Sequence, residues 1–138
     1  SGYQVEPFPI YMQHRQPLAP SDRNRPLQTV TEAIYITTMR WGPRWSYNRA
    51  VRDPGGEYII SWFLGSIPEN AVRHQGVCMP DEQGYMSHIV TFEDAWRKLT
   101  DPAEREVFKY ACHVYCTHLK FLEEIEKETQ AEPAEASS

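Results

Sequence analysis

The chain has 138 residues, of which 41% are hydrophobic and 24% charged, with a formal net charge of −5. That length fits one domain and that balance is globular, which excludes a collagen-like, coiled-coil or wholly disordered chain. The negative charge excludes a protein that coats nucleic acid indiscriminately, and the longest mostly apolar run, Tyr58 to Leu64, is far too short to span a bilayer.

Residues 1–28 contain Pro7, Pro9, Pro17, Pro20 and Pro26. Prolines at that density prevent a helix and spoil ladder pairing, so the segment reads as an extended arm. Its apolar residues, among them Tyr3, Phe8, Ile10 and Tyr11, predict that it lies on its own domain or on a partner subunit. Residues 29–127 read as one α+β domain. Thr29 to Met39 is rich in β-branched residues and predicts a strand. Glu57 to Leu64 predicts a second, apolar on both faces and therefore central in its sheet. Tyr85 to Val90 predicts a shorter third.

Two helices follow. Thr91 is a good N-cap with Glu93 and Asp94 behind it, predicting a helix to about Leu99. Asp101 as N-cap, Pro102 at the first helical position and Glu104 at the third open a long helix to about Lys127. Its apolar residues cover about 200° of the helical wheel, too wide for one neighbour. The expected architecture is a small antiparallel or mixed sheet of about three strands plus the arm, packed by these two helices. Residues 128–138 are acidic and small and predict an unfolded tail.

Charge is unevenly placed. Residues 1–75 hold eight Arg, no Lys and six acids, net +2, whereas residues 76–138 hold six bases and thirteen acids, net −7. Four of the arginines fall between the first two strands, where residues 40–52 carry Arg40, Trp41, Arg44, Trp45, Tyr47, Arg49 and Arg52. A connection this long is often functional, and Arg and Trp are the side chains most enriched at interface hot spots. Asp53-Pro54-Gly55-Gly56 suits a type II turn before the second strand. The competing reading is internal, with the indoles filling a core edge and the guanidinium groups paired to Asp53 and Glu57.

Other chemistry is thinly represented. Cys78, Cys112 and Cys116 are too few for a disulfide framework, which predicts reduced thiols and a cytoplasmic protein. Cys112, His113, Cys116 and His118 point in too many directions around one helix to converge on a metal, so no metal and no cofactor is expected. No nucleophile elbow and no phosphate loop is present. The first reading is therefore a non-catalytic module, an adaptor, inhibitor or assembly component, binding a protein partner through residues 40–52. A second is binding of nucleic acid by the same segment, with arginines on phosphates and aromatics on bases. A third is a small pocket enzyme built on His88 or His118. The wide helix face at residues 102–127, or the arm, predicts a homodimer.

Overall fold

The computed structural model describes residues 2–12, 20–22, 28–45, 52–77, 79–82 and 84–131. The chain is α+β: short antiparallel ladders followed by two helices, the last one long. Its largest ladder pairs β2 (Tyr35–Trp41) with β5 (Gly56–Trp62), from Tyr35 opposite Trp62 to Trp41 opposite Gly56. A shorter ladder pairs β3 (Arg44–Trp45) with β4 (Arg52–Asp53). Two residues on each side, Gly42 with Pro43 and Pro54 with Gly55, separate the two ladders, so the register carries through the gap. Proline has no N–H to give a ladder, and Pro43 and Pro54 account for the interruption. The expected long connection is thus mostly a continuation of one hairpin, and residues 46–51, which hold Tyr47 and Arg49, lie outside the described residues.

The arm meets the base of this hairpin. β1 (Glu6–Pro7) pairs with β6 (Gly65–Ser66), the Phe8 amide donates to the Leu64 carbonyl, and Ile10 exchanges both backbone hydrogen bonds with Val30. Proline density therefore does not forbid pairing here, because Pro7 and Pro9 alternate with Phe8 and Ile10, whose amides make the bonds. The arm's Ile10, 1% exposed, is the most buried large side chain among the described residues. It joins Ile34 and Val114 in the core, with Phe8, Val30, Trp62 and Leu64 packed around them.

Helix α1 (Phe92–Lys98) is capped by Thr91, whose Oγ1 accepts from the Asp94 amide. Helix α2 (Pro102–Ala131) opens with the Asp101 carboxylate accepting from the Ala103 and Glu104 amides. Both starts are those expected. α2 continues four residues beyond Lys127, so Glu128 to Ala131 are helical where the tail reading placed none. At 1.5 Å per residue the helix is about 45 Å long. Val107, Val114 and His118, spaced seven and four residues apart, form its buried stripe. His118 holds the arm: its Nδ1 accepts the Tyr11 backbone N–H at 3.0 Å, and its ring lies between Tyr11 and Phe8. Among the described residues no helix is long and apolar enough to cross a membrane.

Three strand expectations need correction. The first ladder strand begins at Tyr35 and not at Thr29, because Val30 takes the arm as its partner. The second strand is not central among the described residues, where β2 and β5 form a two-stranded sheet. Its second apolar face is exposed, with Ile59 at 73%. Tyr85 to Val90 joins no ladder among the described residues: apolar and β-branched residues make a strand possible, but a ladder requires a partner.

Because the arm supplies the centre of the core, Ile10→Ala should destabilise the chain by about 2–5 kcal/mol. Val72→Ala, at an exposed position, should change stability by no more than about 0.5 kcal/mol. Urea denaturation followed by far-ultraviolet circular dichroism measures both.

Candidate functional site: the arginine and tryptophan hairpin

The far end of the hairpin is organised by one carboxylate. Asp53 Oδ1 accepts the Gly55 amide at 2.9 Å, and Oδ2 accepts Trp41 Nε1–H at 3.0 Å and Arg44 Nε–H at 3.3 Å. These contacts hold its carboxyl below the ordinary carboxylate range: the Gly55 amide contributes most, partial burial opposes it, and Trp41 and Arg44 add to it. Gly55 sits at φ +87°, in the left-handed region where a side chain would be strained, but the expected type II turn is not made: residues 53–56 run on from β4 to β5 in one register.

Trp41 faces Gly56 across the ladder, and a Cβ on Gly56 would lie 2.6 Å from carbons of its indole. The absent side chain lets the ring lie across the strand and stack on Tyr58, with centroids 4.5 Å apart and planes 25° from parallel. A ring over a strand glycine is a recognised way of restoring packing that glycine lacks.

The arginines divide. Arg40 Nε donates to its cross-strand partner Glu57 at 2.8 Å, and Arg44 is engaged by Asp53. Both pairs lie in solvent, where ion pairs contribute about 0–1 kcal/mol. Arg52 behaves differently: its guanidinium carbon lies 5.8 Å from the centre of the Trp45 ring, its ladder partner. Trp45 is 68% exposed. The structure thus brings Arg40, Trp41, Arg44, Trp45 and Arg52 onto one hairpin but gives them two jobs. Trp41, Arg40 and Arg44 are tied to the chain's own groups, whereas Trp45 and Arg52 present an indole and a guanidinium to solvent. Such a pair offers a flat apolar surface beside a cation whose donors match a carboxylate fork.

The remaining polar candidates are placed elsewhere. His118 is buried against the arm with Nδ1 engaged, and His88 is exposed. Burial pushes the Cys112 thiol up, with the neighbouring Cys116 adding to it, which disfavours the thiolate that nucleophilic or metal chemistry needs. Cys78 lies outside the described residues, among which no three His, Cys, Asp or Glu side chains gather to hold a metal ion. A second guanidinium–indole pair was not singled out from sequence. Arg105 of α2 lies 4.5 Å from the Trp96 ring of α1 and donates to the Trp96 carbonyl. Only the packing of two helices joined by a short connection brings those residues together.

Asp53 has a depressed folded-state pKa, so its contribution is complete above the ordinary carboxylate range and is lost as pH falls through the lowered value. The Trp41 indole N–H resonance should accordingly move toward its free position on acidification. In Asp53→Ala it should start near that position at neutral pH and show no acid step. Two-dimensional NMR across an acid titration reads both.

Comparison of the chain with protein-family models, with curated proteins and with solved structures finds no match.

Proposed function

We propose that this chain is a non-catalytic binding and assembly module that engages a protein partner through Trp45 and Arg52 at the far end of its hairpin. The observation that carries this reading is Trp45 itself. It stands 68% exposed, one strand position beyond an anchored frame of Asp53, Trp41 and Gly55. A large indole in water forgoes the stabilisation its burial would give, and such residues, when a partner covers them, carry much of an interface's binding energy. Arg52 lies beside the ring, and the fork of its guanidinium suits an acidic group on that partner.

The wider surface supports the same reading. The buried apolar side chains among the described residues are Ile10, Ile34, Val107 and Val114, whereas Phe63, Tyr85, Met86 and Ile89 are each more than 60% exposed. So small an interior beside so much exposed apolar surface is the character of a chain that works within an assembly.

The test is affinity capture with the purified chain, followed by titration of the recovered partner. Trp45→Ala and Arg52→Glu should each weaken that partner's binding at least about tenfold, which is 1.4 kcal/mol, without changing the melting temperature. Equal affinity in both folded variants would remove the hairpin from the interface. Loss of the captured material on nuclease treatment, with affinity falling steeply in salt, would replace the protein partner by nucleic acid.

A further inference from the structure

Among the described residues the β2–β5 sheet has two strands, so β5 has one edge on which no described strand lies. An isolated two-stranded ladder is marginal in water, and its free edge is a template for another strand. This edge is unguarded: Gly56–Trp62 contains no proline and no charge after Glu57. Ile59, opposite Thr38 in the register, is 73% exposed on the same face as Ile36 at 61%.

The chain also carries a strand-like segment without a sheet. Tyr85–Val90 is apolar at four of its six positions, ends in the β-branched pair Ile89 and Val90, and contains no charged residue other than a titratable histidine, His88. It belongs to no helix or ladder, and Tyr85, Met86 and Ile89 are 74%, 71% and 69% exposed. Among the described residues the amides from Met86 to Val90 have no backbone partner. Phe92, just past it, stacks on Phe108 of α2, and among the described residues no backbone hydrogen bond joins the segment to β5.

We propose that a second copy of this chain joins these two halves: Tyr85–Val90 of each copy adds as a strand to the free β5 edge of the other, giving a two-fold dimer by reciprocal strand exchange. Each open backbone edge then meets a segment that lacks a ladder, and the exposed face of Ile36 and Ile59 widens by a third strand of apolar side chains. This contact is separate from the hairpin tip and does not use Trp45.

The full chain should elute with twice its 16.1 kDa mass by size exclusion with light scattering. Ser87→Pro removes an amide donor from the donated segment, and Ile59→Lys puts a charge on the receiving edge at an exposed position. Each should keep the circular dichroism of the native chain and weaken dimerisation roughly tenfold or more. Mixed together, the two variants should recover a heterodimer stronger than either homodimer, because one donor–acceptor junction is intact. Trp45→Ala should dimerise as the native chain does. A native chain that stays monomeric, variants that dimerise normally, or a mixture no stronger than its components would each overturn the proposal.

Discussion

The packing of the N-terminal arm is the constraint on which the rest depends. Ile10 sits at the centre of the core, between Ile34 of the hairpin base and Val114 of α2. The sheet and the helix contribute few other buried apolar groups, so the arm is the third layer that lets them share an interior. Its position is reinforced from both sides. The Val30 and Leu64 backbones take its ladder bonds, and His118 accepts the Tyr11 amide from the helix side. A buried imidazole without that amide, or that amide without the imidazole, would leave an unsatisfied polar group, so each accounts for the other.

With the base fixed in this way, the hairpin can extend beyond the body and still keep a defined shape at its far end. Two prolines interrupt the ladder there, and Asp53 replaces the missing backbone bonds with three side-chain acceptances. Gly55 and Gly56 serve this arrangement differently: one adopts a left-handed backbone, the other makes room for an indole. The result is a frame of half-buried groups bonded to one another, which suits a surface that presents side chains to something else.

Several parts of this were legible before any fold was known. The cap residues Thr91 and Asp101 located both helix starts, because capping depends on side chains within a few positions of the backbone they satisfy. The aromatic and arginine segment was legible as a group, but the separate fates of Trp41 and Trp45 were not. Which indole reaches Asp53 depends on cross-strand register, and register belongs to a pair of strands. The same reason explains Tyr85–Val90: its apolar and β-branched residues suit a strand but do not say whether a neighbour is present.

By itself the sequence determined the α+β class, the helix starts and the uneven placing of charge. All of these follow from interactions among residues close in the chain or from composition. Only the tertiary structure decided that Ile10 is the centre of the core, that His118 holds the arm, and that Trp45 faces solvent while Trp41 does not. Each of those rests on a contact between residues many positions apart, whose meeting is settled by packing and strand pairing and leaves no local signature.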